Sequence, residues 1–436
     1  MYEKPTGKAS PLLTLAETDW RGKHDRFGIL PADRLRHLWV VGKTGSGKST
    51  LLLRLIEQDL RAGRGVAILD PHGDLATAAL SLVPRSRTND VCVLDPSDPE
   101  AAVAFNVLRQ GGPNLDTSLA ASALISALKK HWSDVWGPRL EHVLRSAILA
   151  VAPDPRATLL YLYRFLTDEE LRAKMAPRIA DPVVRQFWTR EFPGYRAQLQ
   201  AEALAPVLNK LGAFVTNGFI RRIVAQEKSR LDVGALMDRN GILICNLSVG
   251  KVGEDASRLL GSFILSAVQV AAMRRKSAEP AFHLYVDEFQ HFVTESLATM
   301  LSESRKFGLS LTLSHQYLAQ LPPGLLDGVR GNVGSIILMR LGAEDARILE
   351  PEVNPPFSAG DLAAIPSGSA VMKLIVRGEP TVAFSARLLP PVPIPAGADE
   401  RIAHIRAQSR RRYATPVDVV DRVVERALAS EKSSAA

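Results

Sequence analysis

Cysteine is nearly absent from this chain, with only Cys92 and Cys245 in 436 residues. Each lies in an apolar, strand-like run, so no disulfide framework holds the fold and a reduced cytoplasmic core is expected. No Cys/His set has metal-ligand spacing, which excludes a structural zinc module. The apolar uncharged stretch Leu259 to Met273 is interrupted by Gly261, Ser262, Ser266 and Gln269 and is shorter than a membrane span requires. The opening MYEKPTGKAS has neither a signal h-region nor an anchor. The expectation is a cytoplasmic chain, or one held peripherally at the inner membrane by a partner.

What is present begins with size and charge. A chain of 436 residues exceeds one ordinary core, so two or three domains are expected. The net charge of +8 suits a polyanionic partner as well as a plain basic surface. Short apolar runs alternate with helical patterns, the mark of an α/β fold with a mostly parallel sheet. The expected strands are Leu38 to Val41, Val66 to Asp70, Val91 to Leu94, Ile242 to Leu247, Leu284 to Asp287, Leu309 to Ser314 and Ser335 to Arg340. VMKLIVRGEPTVAFSARLL reads as a hairpin turning at RGEP. Between about 115 and 232 the pattern is helical only. Leu140, Val143, Leu144, Ala147, Ile148 and Val151 recur on one helical face, so an inserted all-α subdomain is expected there. The divisions are then 1–114, 115–232, 233–390, and 391–436 as a Pro-rich connector with a basic helical tail bearing Arg410, Arg411, Arg412 and Tyr413.

Residues 42 to 50 read GKTGSGKST, after HLWVV and before LLLRLIEQ. Gly42, Gly47, Lys48 and Ser49 satisfy the spacing of a phosphate-binding loop between strand and helix. Glycines let backbone N–H groups turn inward around phosphate oxygens, where a Cβ would obstruct. The whole loop, from Gly42 through Lys43, Thr44, Gly45, Ser46, Gly47, Lys48 and Ser49 to Thr50, is the expected cradle of ATP. Lys48 reaches the β and γ phosphates, Ser49 takes a position on Mg²⁺, and the following helix dipole favours the negative charge.

HLYVDEFQHF at 283 to 292 sets Asp287 and Glu288 at the carboxyl end of a strand, where ligands of open α/β sheets bind. Asp287 is suited to hold Mg²⁺ and Glu288 to deprotonate the attacking water. Further on, SESRKFGLSLTLSHQ delivers Gln316 at another strand end, a neutral amide able to contact a γ-phosphate or its water.

Several blocks in order carry a resemblance: FGI (27 to 29), RHLWVVGKTGSGKST, DPHGD (70 to 74), FNVL (105 to 108), WGPRLEHVLRSAILA (136 to 150), LYVDEFQHF, ESRKFGLSLTLSHQYLAQL and GNVGSIILMRLG (331 to 342). Together they resemble the HerA/VirD4-like P-loop ATPases, and among them the type IV secretion DNA-binding, TraG/TraD-like conjugation ATPases. The resemblance implies a RecA-like motor that assembles as a ring of six, passes DNA through its centre and carries an all-α subdomain. It implies that Arg305 acts across the subunit boundary as an arginine finger and that Arg36 also serves the nucleotide site. Relaxase or secretion-channel proteins are the implied partners. Membrane-bound members of the group carry N-terminal transmembrane helices, which this sequence does not display.

DNA contacts are less marked. Lys251, in VGKVGED, and Arg258 are candidate phosphate contacts facing a pore, and a helix-capping loop is the competing reading. No basic stripe interleaved with aromatics is visible, so a sequence-independent grip on the backbone is expected. Three readings remain open at this point. They are a DNA-pumping ATPase of conjugation or type IV secretion, a soluble HerA/FtsK-like translocase in DNA processing or phage defence, and an ATP-switched docking platform without motor activity.

Overall fold

The computed structural model describes residues 12–19, 21–109, 117–131, 136–292 and 296–429. The expected boundary at 114/115 and the end of the tail lie outside them. Contacts divide the chain into two compact units, each assembled from three stretches. The first takes the chain up to Val91, Leu236–Asn246 and Arg275–Gln408. The second takes Cys92–Ala235, Leu247–Arg274 and the chain from Ser409.

The first unit is built on a RecA-like sheet. Its strands are β1 (Leu13–Thr18), β2 (Arg26–Ile29), β3 (Leu38–Val41), β4 (Gly65–Asp70), β5 (Ile242–Asn246), β6 (Phe282–Val286), β7 (Leu309–His315), β8 (Ser335–Leu338), β9 (Ser369–Lys373) and β10 (Phe384–Leu388). They lie in the order β2-β1-β10-β9-β8-β3-β7-β6-β4-β5. From β8 to β5 every pairing is parallel, and β8 to β2 form an antiparallel wing. The parallel strands LWVV, GVAILD, ILICN and FHLYV are buried along their whole length, as covering on both faces demands. The wing strand FSARL instead alternates between covered and exposed positions.

Two details differ from the sequence expectation. β5, β6 and β8 stop at Asn246, Val286 and Leu338, one or two residues early, where the chain leaves the strand ladder. Strands β1 and β2 were not anticipated. The hairpin does turn at RGEP: Ile375–Val376 pairs with Glu379–Pro380, and Arg377 and Gly378 both have positive φ, the geometry that a tight two-residue turn needs. Asp33 secures it by accepting from the backbone N–H groups of Arg377 and Gly378.

A buried ionic group joins the helix Lys48–Arg61 to β6. Arg34 makes a bidentate pair with Asp59 at 2.7 and 2.6 Å and donates to the Tyr285 hydroxyl, which itself donates to Asp59. Arg64 is the second cation on Asp59. Burial pushes the Asp59 carboxyl up, but the Arg34 guanidinium, helped by the Tyr285 hydroxyl, holds it well below the usual range.

Three buried histidines in this unit stay neutral. Burial pushes His37 down to about 4, and His283 and His315 to about 3. His37 accepts from the Leu311 N–H through Nδ1 and faces the Leu301 carbonyl through Nε2, a pairing that needs the neutral ring. In the unfolded chain each histidine protonates near pH 6.5, so the unfolded state binds more protons below that pH. Stability conferred by the neutral rings is therefore complete above about pH 6.5 and is lost as pH falls toward 3 to 4, at up to about 1.4 kcal/mol per pH unit for each ring. Urea unfolding at pH 7 and pH 5 is expected to register this loss, and equal stabilities at the two values would contradict it.

The second unit is mostly helical, with Thr117–His131, Pro138–Val151, Leu159–Thr167, Ala197–Thr216 and Gly218–Val224 all falling within the expected block. It also takes in the helix Glu254–Met273, which packs on Thr117–His131, and a short antiparallel pair, Ala101–Val103 with Ala414–Pro416. Ion pairs tie the tail in: Arg222 to Asp421, and Arg410 to Asp98 and Glu100. Among the described residues Glu254–Met273 is the one helix long and apolar enough to cross a membrane, and 78% of its apolar window is buried within the protein.

Candidate nucleotide site

All site residues of the phosphate loop and the acidic strand end fall in the first unit. Strand register explains why they meet. Val41 of β3 pairs with His315 of β7, Leu313 of β7 with Val286 of β6, and Val286 with Leu69 of β4. Gly42, Gln316, Asp287 and Asp70 therefore emerge together at the carboxyl ends of four neighbouring parallel strands.

The loop is held tightly. The Gly42 N–H donates to the His315 carbonyl and the Lys43 N–H to that of Arg340. A Cβ on Gly42 would fall 2.7 Å from both Ser46 Oγ and Met339 Cβ, so only glycine fits. Gly47, at φ 110°, opens the helix Lys48–Arg61. Thr44 donates from Oγ1 to Gln316 Oε1 at 3.0 Å, linking the loop to the end of β7. Ser49 is exposed in the first helical turn and Thr50 is half-buried beside it.

Lys48 is buried and donates from Nζ to the Gly42 carbonyl at 2.7 Å. Its Nζ lies 3.9 Å from Glu288 Oε1. Burial lowers the Lys48 pKa, and the charges of Glu288 and Asp287 oppose that shift. The carboxyl of Asp287 is pushed up, chiefly by burial and then by Glu288 and Asp70, while Ser314 and Lys48 pull it down. Four ionisable side chains, three of them acids, thus share a nearly dry corner.

Two residues that the sequence reading did not single out orient the acids. The Ser314 hydroxyl donates to Asp287 Oδ1. Gln290 donates from Nε2 to Glu288 Oε2 at 2.8 Å, across a turn in which Glu288 has φ 44°. Asp70 is fixed by accepting from the N–H groups of His72 and Ala76. The signals were in plain view as a serine two residues before Gln316, an amide two after Glu288, and the Asp that opens DPHGD.

The remaining candidates lie elsewhere. Arg305 sits in the short turn Ser304–Phe307 before β7, exposed, with no side-chain partner among the described residues. Arg36 precedes β3, beside Gly334 and Gly378. Both are at the amino ends of strands whose carboxyl ends carry the loop and Gln316. β7 alone has seven residues, about 20 Å of chain at the usual rise. Lys251 and Arg258 belong to the second unit; Lys251 is exposed in the turn Val249–Val252, and Arg258 pairs with Glu254 one helical turn away. No cluster of three or more His, Cys, Asp or Glu able to hold a metal by themselves occurs among the described residues.

Comparison with known proteins bears on the fold and the family. The curated relative "Type 4 coupling protein DotL" of Legionella pneumophila is 21% identical over 350 residues, 66% of this chain and 44% of its own length. The chain thus spans less than half of that relative. Among solved structures, plasmid coupling protein TrwB in complex with the GTP analogue GDPNP is similar with a TM-score of 0.65 at 17% identity, over 88% of this chain and 92% of that one. TrwB in complex with ADP and Mg²⁺ matches with a TM-score of 0.65 at 17% identity, over 85% and 89%. A family model described as the type IV secretion-system coupling protein DNA-binding domain matches residues 28–323. With most of its length matched, the chain belongs to the type IV secretion-system coupling protein family.

Proposed function

We propose that this chain is an ATPase that hydrolyses Mg·ATP in a ring of six and uses the turnover to move DNA for a type IV secretion or conjugation system. The observation that carries the reading is the convergence of Lys48, Asp287, Glu288 and Gln316 at the carboxyl ends of adjacent parallel strands.

The residues fit the implied ligands. A loop in which a Cβ at Gly42 would collide, with a buried ammonium at its floor, matches a polyphosphate. The carboxyl of Asp287, pushed up by burial and then by the adjacent acids Glu288 and Asp70, matches a cation. Lys48 and the loop N–H groups would hold the phosphates, and Ser49 with Asp287 would hold Mg²⁺. When bound, the metal and triphosphate supply charge neutralisation and a leaving group. Glu288 takes the proton of the attacking water, Gln290 keeps its carboxylate aimed, and Gln316 orients the water or the terminal phosphate. TrwB, crystallised with ADP and Mg²⁺ and with triphosphate analogues, supports the same ligand class here.

Arg305 and Arg36 lie at the amino ends of strands whose carboxyl ends carry the loop and Gln316, which favours service to a neighbouring subunit. DNA is gripped by its phosphates, with Lys251 and Arg258 as contacts, and relaxase or secretion-channel proteins are the partners at the inner membrane. ATP turnover with and without single- and double-stranded DNA tests the reading; stimulation by DNA is expected. DNA affinity is expected to fall steeply with salt and equally for unrelated sequences, because each neutralised phosphate releases counterions. A flat salt response would remove the backbone grip.

A further inference from the structure

The Pro-rich connector and the helix that follows it, which the nucleotide reading leaves without a part, close a cavity on the first unit. The cavity measures about 710 Å³, within the range of small-molecule sites. Its walls are the end of the helix Lys48–Arg61, the end of the helix Asp74–Leu82 with the chain beyond it, and the end of the connector with the first turns of the helix Ala398–Tyr413. All the lining residues belong to the first unit. The phosphate loop opens the helix Lys48–Arg61 and Arg61 closes it, 14 residues on. The cavity is thus about 21 Å of helix away from the loop.

Charge in this lining is unbalanced. Arg61, Arg85 and Arg401 bring three guanidinium groups and His404 an imidazole, against the one carboxylate of Glu400. Glu400 stands in the first turn of its helix, where a carboxylate answers the helix dipole, and makes no ion pair among the described residues. Arg61 is tied to Glu57 on its own helix. Arg401 is held by neutral acceptors alone: Nε and Nη2 donate to the Val83 carbonyl, and Nη2 also to Thr88 Oγ1. Arg85 is exposed, with no side-chain partner among the described residues. Burial lowers the Arg401 pKa, and the charge of Arg85 lowers it further. Two guanidinium groups therefore repel each other in one lining with no carboxylate bound to either, an arrangement that an entering anion relieves.

We propose that this cavity is a second anion site, which takes a small phosphate-bearing ligand outside the nucleotide loop. Planar guanidinium forks match phosphate oxygens two at a time, which a scatter of lysines would not. The Val83 and Thr88 contacts fix Arg401 beforehand, so little side-chain freedom remains to be lost on binding. Walls drawn from three elements suit a small phosphorylated molecule better than the side of a DNA duplex. Arg85, free of any other task among the described residues, supplies the charge that the ligand neutralises. Nothing in this site depends on what the phosphate loop binds.

The test is titration calorimetry of the full chain with pyrophosphate, in saturating Mg·ADP so that the phosphate loop is filled. One equivalent of pyrophosphate is expected to bind. Arg85→Glu should weaken it at least about tenfold, as loss of a charge-assisted contact does, while Mg·ATP affinity stays unchanged. Lys276→Glu makes the same change in net charge at an exposed position outside the cavity and should alter pyrophosphate affinity less than about twofold. No pyrophosphate binding beside Mg·ADP would overturn the proposal, as would equal weakening by the two variants, the mark of a diffuse surface potential. Displacement of pyrophosphate by a DNA duplex more readily than by inorganic phosphate would also overturn it and assign these arginines to DNA. If ADP itself fails to bind, the nucleotide reading falls, and the difference between Arg85→Glu and Lys276→Glu still decides this proposal.

Discussion

Replacing Arg305 by alanine is expected to lower ATP turnover by about 10³- to 10⁵-fold while leaving ATP affinity near the wild-type value. An arginine that neutralises charge developing on the transferred phosphoryl group acts in the transition state far more than in the ground state. Its position makes the same point from geometry. Arg305 precedes β7 at the amino edge of the sheet, whereas Lys48 and Gln316 lie at the carboxyl edge. A side chain cannot span that separation, so the finger role proposed for Arg305 requires a phosphate held by another copy of the chain. Arg305 is exposed and carries no carboxylate partner among the described residues, so its removal has little to disturb in its own fold. Steady-state turnover and nucleotide titration on the same preparation check this. Turnover within tenfold of wild type would deny the role.

Glu288→Gln and Lys48→Ala are expected to fail in different ways. Glutamine keeps the shape of the Glu288 side chain and loses its basicity, which removes about 10²- to 10⁴-fold of rate and spares ATP binding. With its amide oxygen on the Oε2 side the new glutamine still accepts from Gln290 Nε2, so the contact that aims the side chain is kept. Lys48→Ala deletes the only cation at the floor of the loop among the described residues, next to the acids Asp287 and Glu288. Those acids then repel the incoming phosphates unopposed, and tight ATP binding is lost. Unimpaired turnover in Glu288→Gln would assign the proton acceptor elsewhere.

The parallel half of the sheet was legible because its strands are buried on both faces. Runs such as LWVV and GVAILD are apolar without interruption, and the loop spacing fixes where one of them ends. The wing was harder. β1 and β2 interleave Glu17 and Arg26 with apolar residues, and their pairing depends on a register shift between Thr14 and Ala16 that no local pattern announces. Strand ends were overshot for a related reason. Asp287 and Arg340 follow apolar residues and Leu247 is itself apolar, but all three already lie past the last strand residue.

The helical block was also readable, through its 3.6-residue period. That the helix Glu254–Met273 and the strand pair 101–103 with 414–416 belong to the same unit was not, since tertiary packing alone gathers them. At the site, Lys48, Asp287, Glu288 and Gln316 were found by motif and are brought together by register. Gln290 and Ser314 escaped notice because a polar residue near a strand end has many ordinary uses, and only three-dimensional distance separates those from an orienting contact.

The central claim is that catalysis is completed across a boundary between two copies, and mixing Arg305→Ala with Glu288→Gln subunits tests it most directly. Each variant alone should keep at most about 1% of wild-type turnover. In mixed rings some boundaries pair an intact Glu288 with a neighbour's intact Arg305, so turnover should reappear and peak at intermediate ratios. If subunit exchange is verified and no ratio restores activity, Arg305 does not act across the boundary and the ring mechanism is contradicted.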